Sequence, residues 1–109
     1  MLIWKIKKSP IHGNGVFARE NIQIGTDLGV GLVLLLDNIK VRIFQRRILG
    51  LLVNHSTTPN LVFIRKQDEW SLRTIKQIQS DEELTVNYED FKHKINKESK
   101  RLKKRVEVI

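Results

Sequence analysis

The chain has 109 residues, room for one domain with an economical core. Apolar residues make up 40% and charged residues 29%, an ordinary globular balance that argues against a disordered or membrane-embedded protein. The net charge is +8 and there is no cysteine, which excludes disulfides and thiolate zinc sites.

The charge is unevenly spread. Residues 91–109 carry a net charge of +6, from Lys92, Lys94, Lys97, Lys100, Arg101, Lys103, Lys104 and Arg105 against Glu98 and Glu107. The remainder carries only +2. His12, His55 and His93 lack metal-ligand spacing, so no metal is expected. The longest apolar stretch, Leu28 to Leu36, is nine residues with two glycines, far short of the roughly 20 that span a bilayer. Met1 to Lys5 reaches a charge at once and shows no signal-peptide block. An intracellular protein, not secreted and without membrane association, is the expectation.

In chain order, Leu2, Trp4 and Ile6 alternate with period two, which predicts a strand closed by Pro10. Gly13-Asn14-Gly15 marks a tight loop, and Val16 to Arg19 reads as a short strand. Gly25 is a turn, and Thr26 to Leu36 reads as one or two buried strands weakened by Gly29 and Gly31. Asp37 is placed to cap a helix through about Leu49, with Ile39, Ile43, Phe44 and Ile48 near helical spacing and Gly50 as its stop. Leu61 to Lys66 and Trp70 to Lys76 flank a turn and predict a hairpin. Leu84 to Asn87 reads as a last strand. From Phe91 the chain is expected to be helical, with Ile95, Leu102 and Val106 on a thin apolar stripe.

Three segments exceed what packing requires. The first runs from Ser9 to Ala18, where paired glycines let backbone approach a ligand closely. The second is Asn54-His55-Ser56-Thr57-Thr58-Pro59-Asn60, polar and rich in turn formers. The third is Glu82-Glu83-Leu84-Thr85-Val86-Asn87-Tyr88, ending on the sole tyrosine. Taken singly, each also suits a plain role: a strand-to-strand turn, a capped loop, a core-edge tyrosine.

Together and in this order they resemble the signature of SET-domain protein lysine methyltransferases, over roughly residues 3–91. The build is closest to minimal viral members of the chlorella-virus histone methyltransferase type, and a viral, phage or bacterial source is expected. The resemblance implies a mostly β, knotted SET (β-clip) fold of short strands, with one short central helix and a basic C-terminal helix. It implies a SET domain over 1–91 and a basic helical tail over 92–109.

It also implies that Asn54, His55 and Tyr88 meet in space, with S-adenosylmethionine (AdoMet) on one face. His12, Gly13, Asn14, Gly15, Asn54, His55 and Phe91 would contact that cofactor. Phe91 would stack on adenine, or else anchor the C-terminal helix. Asn54 would bond the cofactor's amino acid part or fix the knot, and His55 would offer its backbone to adenine. Tyr88 would be catalytic, positioning a substrate lysine that enters from the opposite face. Phe63 and Val86 would line that channel, with Phe63 also suited to plain core packing and Phe44 a further aromatic candidate.

Other members line the channel with more tyrosines; one here suggests di- or trimethyl-lysine as product. Thr26 to Gly50 matches the family poorly, and substrate sequence is usually read there. The expected partner is a protein presenting a lysine, histone-like or ribosomal. The basic tail admits three readings: a solvated helix face, a contact for nucleic acid or nucleoprotein, or a set of automethylation sites. A homodimer stays open. The rival function is a decayed SET-like module acting as a small basic nucleic-acid or protein-binding protein. A DNA-compacting protein driven by the tail is the third.

Overall fold

A computed structural model describes residues 2–109. The strands are β1 (Trp4–Lys8), β2 (Asn14–Ala18), β3 (Asp27–Asp37), β4 (Val41–Arg46), β5 (Asn54–His55), β6 (Leu61–Lys66), β7 (Glu69–Thr74), β8 (Glu83–Val86) and β9 (Arg105–Val108). Helix α1 (Ile48–Leu52) precedes β5, and α2 (Tyr88–Arg101) precedes β9. The protein is thus mostly β with two helices, as expected from the sequence.

The strands form two sheets, ordered β1-β2-β8-β5 and β6-β7-β3-β4-β9. In the first, β8 lies between β2, to which it runs antiparallel, and β5, to which it runs parallel. Asn54 thereby pairs with Thr85 and His55 with Val86. The second and third sequence motifs are neighbours because of this one ladder. Val16, Val53, Leu61, Leu72, Ile78 and Leu84, all fully buried, share a first core. Leu32, Phe44, Trp70 and Ile95 build a second, with Phe63 packed against both.

The helix expected over 37–49 is not formed. Asn38 turns the chain instead: its Oδ1 accepts from the amides of Lys40 and Val41, each at 2.9 Å. β4 then returns antiparallel along β3, from Leu32 opposite Arg46 to Asp37 opposite Arg42. Tertiary pairing decides here. β3 is paired with β7 on one side, and its other edge needs a partner that a helix cannot supply. Ile39, counted on the helix's apolar stripe, is 84% exposed in the turn.

The helical segment that survives is five residues long, and Gly50 sits inside it rather than ending it. A side chain at Gly50 would overlap the carbonyl of Gly31, so backbone lies on backbone where α1 crosses β3. This close crossing sets where Val53, Asn54 and His55 leave the helix.

The C-terminal segment also departs from expectation. α2 begins at Tyr88, three residues before the predicted start, because Asn87 caps it by accepting from the amides of Glu89 (2.9 Å) and Asp90 (3.2 Å). Acidic residues in its first turn and Lys100 and Arg101 in its last match the helix dipole. Lys103, at φ +57°, ends the helical course. Val106, expected on the helical stripe, instead lies in β9, which runs parallel to β4 from Val41 opposite Arg105 to Phe44 opposite Val108.

Arg42 fastens this segment to the sheet. Its side chain is 2% exposed and lies 3.3 Å from Glu98 of α2 and 3.5 Å from Asp37. Those pairs are too poorly directed to be hydrogen bonds, so its Nε and Nη1 have no hydrogen-bond partner among the described residues. Arg65 closes on Glu98 at 2.9 Å and Lys104 on Asp37 at 2.6 Å. Burial pushes the Glu98 carboxyl up, but Arg65 and Arg42 outweigh it and hold it below the usual range.

Gly50→Ala is expected to destabilise the protein by about 1–3 kcal/mol, because the overlap with Gly31 exceeds alanine's advantage in a helix of up to about 1 kcal/mol. Thermal unfolding checks this; an unchanged or raised midpoint would show that the crossing can relax.

Candidate functional site

Loop 9–13 is closed by its own bonds. The Ser9 amide donates to the Gly13 carbonyl at 2.7 Å, and the Ile11 amide to Ser9 Oγ at 2.9 Å. Gly13 takes φ +45°, and nothing stands within 4 Å of where its Cβ would be. The space on the Cβ side of Gly13 is therefore open, while its carbonyl is engaged by Ser9. Gly15 is the opposite case: a Cβ there would come 2.5 Å from Glu83 Oε2 and 3.1 Å from Asn54 Nδ2. Glycine is needed at 13 for conformation and at 15 for room.

Glu83 is the hub beneath this loop. Ser9 Oγ donates to its carboxylate at 2.8 Å, and Asn54 Nδ2 donates to Oε2 at 2.9 Å. Asn54 Nδ2 also donates to the His12 carbonyl at 3.0 Å. Both amide hydrogens of this buried asparagine are therefore spent on the protein, and what Asn54 can offer a ligand is its carbonyl oxygen. Asn60, also buried, fixes the last motif from the other side. Its Nδ2 donates to the Glu83 carbonyl at 2.9 Å and to Glu82 Oε2 at 3.0 Å, and its Oδ1 accepts from the Thr85 amide at 2.8 Å.

His55 and Tyr88 are brought together as the resemblance implied. The Tyr88 amide donates to His55 Nδ1 at 3.0 Å, and the two rings lie 5.4 Å apart. With Nδ1 accepting, a neutral His55 carries its proton on Nε2. The Tyr88 hydroxyl donates to the Val53 carbonyl. Burial pushes the Tyr88 phenol above its ordinary value, with Arg46 opposing weakly, so it is protonated at neutral pH.

Phe63 and Phe91 stack with centroids 4.2 Å apart and separate two cavities. One, of about 340 Å³, is lined by Tyr88, Phe63, Phe91, Leu32 and Gly50, with Arg46, Lys92 and Val108 at its wall. The other, of about 230 Å³, takes Phe63 and Phe91 with Val86, Leu61, Pro59 and Asp90. Val86 and Tyr88 thus face different cavities, and Phe63 borders both. The side chains of His12 and Asn14 are exposed; of His12 it is the carbonyl that joins the site. Phe44 is fully buried against Trp70, away from either cavity. Among the described residues no group of three or more His, Asp or Glu is placed to hold a metal.

Sequence reading passed over Glu83, Asn60, Arg46, Lys92 and Val108 as site residues. For Glu83 and Asn60 the signal was present, since both lie inside the motifs. For the other three nothing local marks them, because α2 and β9 carry Lys92 and Val108 to the cavity only after folding. Glu83→Ala should strand the Ser9 hydroxyl and the Asn54 amide without their acceptor, costing about 1–3 kcal/mol. A denaturant midpoint equal to wild type would remove Glu83 from this role.

The fold is shared with known structures. A Plasmodium falciparum protein assigned as a histone methyltransferase superposes with a TM-score of 0.64 at 20% identity, over 81% of this chain and 94% of that one. A chain of the Chaetomium thermophilum Polycomb Repressive Complex 2, in a humanized mutant, gives 0.62 at 22% identity over 80% of this chain. This chain spans 15% of the length of that polycomb chain. No curated protein matches. The SET domain family model matches residues 34–89, the stretch that holds the Asn54-His55 and Glu83-to-Tyr88 segments just described, and the chain belongs to the SET domain family.

Proposed function

We propose that this chain is an AdoMet-dependent protein-lysine N-methyltransferase of the minimal, zinc-free viral type, with Tyr88 as the catalytic residue. The observation that carries the reading is the placement of Tyr88. It is protonated, tied to the Val53 carbonyl, packed on His55, and set on an apolar cavity of about 340 Å³. In this reading residues 1–91 are the SET domain, with the last motif threaded through a loop as a knot, and 92–109 are an appended basic segment.

The residues present fit the cofactor. Gly13 leaves the space at its Cβ position open while Gly15 seats the loop on Glu83 and Asn54, a cradle that any side chain at 15 would fill. His12 to Gly15, the Asn54 carbonyl oxygen and the His55 backbone would hold AdoMet. Phe91, which already anchors α2 on Phe63, would present its remaining face to adenine. Bound there, AdoMet supplies an electrophilic sulfonium methyl group.

Methyl transfer needs an uncharged amine, and neutralising a lysine of pKa about 10.4 at pH 7 costs about 4–5 kcal/mol. Apolar walls such as Phe63, with Val86 on the far side of the aromatic pair, disfavour the ammonium and reduce that cost. Tyr88 is not a base, because its proton is retained and directed at Val53. Its phenol oxygen can instead accept from the incoming amine and hold the lone pair in line, positioning that can supply several kcal/mol.

The partner would be a protein presenting a lysine, histone-like or ribosomal, met inside the cell or in a host nucleus. The exposed basic face of α2 would offer a contact for nucleoprotein. No helix among the described residues is long and apolar enough to cross a membrane.

Wild type and Tyr88→Phe, incubated with labelled AdoMet and mixed histone and ribosomal proteins, test the reading. Wild type should label lysine, and the variant should lose roughly a hundredfold in rate while still binding AdoMet. No label and no AdoMet binding would instead favour a decayed module that binds partners or nucleic acid. Mass spectrometry of the product should show more than one methyl per lysine, since a single hydroxyl leaves room beside the amine; arrest at one methyl under excess AdoMet would overturn that expectation.

A further inference from the structure

Among the described lysines, one lines the same cavity as Tyr88. Lys92 follows Tyr88 by four residues on α2, so the two side chains rise from one helix face with Cβ atoms about 6 Å apart. The Asn87 cap fixes this first turn, and Phe91 stacked on Phe63 forms the cavity wall between them. The Lys92 side chain is 67% exposed, and its one ionic neighbour among the described residues, Glu89, stands at 4.0 Å, the outer limit of an ion pair. Its ammonium is therefore weakly held and has a four-carbon reach. Other basic residues of the segment are placed differently. Lys94 is held by Asp90 at 3.2 Å and faces the other cavities, and Lys104 is held by Asp37 at 2.6 Å.

We propose that Lys92 is a methylation site of the chain itself, modified within the same molecule at the Tyr88 cavity. The proposal rests on the transferase reading above. In the step, the lone pair of uncharged Lys92 Nζ forms a bond to the sulfonium methyl carbon as the sulfur–carbon bond breaks. The sulfur leaves as a neutral thioether with the bonding pair, and the surplus proton passes from nitrogen to water. No oxidant or further reactant is needed.

Two measurements test it. The first needs no turnover. When the lysines are reductively methylated with labelled formaldehyde, the Lys92 signal should be moved upfield by the rings of Tyr88, Phe63 and Phe91, relative to those of Lys97 and Lys100. A Lys92 signal coincident with theirs would overturn the proposal. In the second, the purified chain is incubated with labelled AdoMet, with and without added histone and ribosomal proteins, and the modified residues are mapped. Label at Lys92, absent from Lys92→Arg and unchanged in fractional yield on tenfold dilution, is the expected result. Label on added proteins but none at Lys92 overturns the proposal and leaves the transferase reading intact. Label at Lys92 that falls with dilution overturns modification within one molecule. No label on any protein overturns both.

Discussion

The carboxylate of Glu83 sits where β2, β5 and β8 converge, and the candidate site depends on it. It accepts from Ser9 and Asn54, and it fills the space that a side chain at Gly15 would occupy. A buried asparagine and a serine hydroxyl would each be costly without acceptors, so one charged group satisfies two chain segments distant in sequence. The Asn54 amide then reaches on to the His12 carbonyl. Through Glu83 the glycine loop, the Asn54-His55 strand and the last motif form one hydrogen-bonded unit, and loosening any one of them loosens the others.

The motifs were legible because each meets a backbone-level requirement that few residues satisfy. Gly13 needs a left-handed conformation and Gly15 needs emptiness. Asn54 must donate twice, to His12 and Glu83, Asn60 must donate and accept at once, and Tyr88 must reach a carbonyl on β5's approach. Strands β1, β2, β6, β7 and β8 could be read from alternation and turns. The stretch from Asp37 to Leu49 could not. Its apolar residues satisfy a helical period and a strand period alike over so short a run, and the deciding term is the unpaired edge of β3. β9 failed for a related reason. Arg105 to Val108 alternate as a strand should, but Val106 also continued the stripe of α2, and only the turn at Lys103 separates the two courses.

Those two misreadings are connected. Had 37–49 been helical, β9 would have no strand to join, since it pairs in parallel with β4 alone. With β4 in place, Arg42 is buried at the junction and draws Asp37 and Glu98 to it, and Lys104 and Arg65 gather on those carboxylates. Part of the segment's positive charge is thereby consumed in holding α2 and β9 to the sheet. Lys104 is no free cation, and Arg65 belongs to the same cluster rather than to an open basic face. Arg42 is the one buried member while Asp37, Glu98 and Arg65 keep contact with solvent, so removing a carboxylate strands a buried guanidinium and the cluster specifies where the helix docks.

Docking matters because the cavity at Tyr88 is assembled across that junction. Leu32 comes from β3, Gly50 from α1, Phe63 from β6, Phe91 and Lys92 from α2, and Val108 from β9. Tyr88 is itself the first residue of α2, so the cap at Asn87 that starts the helix also aims the phenol at Val53. A chain of 109 residues has little structure to devote to a site alone. Here the helix cap, the aromatic pair that joins the two cores and the strand that closes the second sheet are the walls of the cavity. A substitution that shifts α2 by a fraction of its rise would therefore change fold and chemistry together, and separating them requires changes at the phenol oxygen, which touches little else.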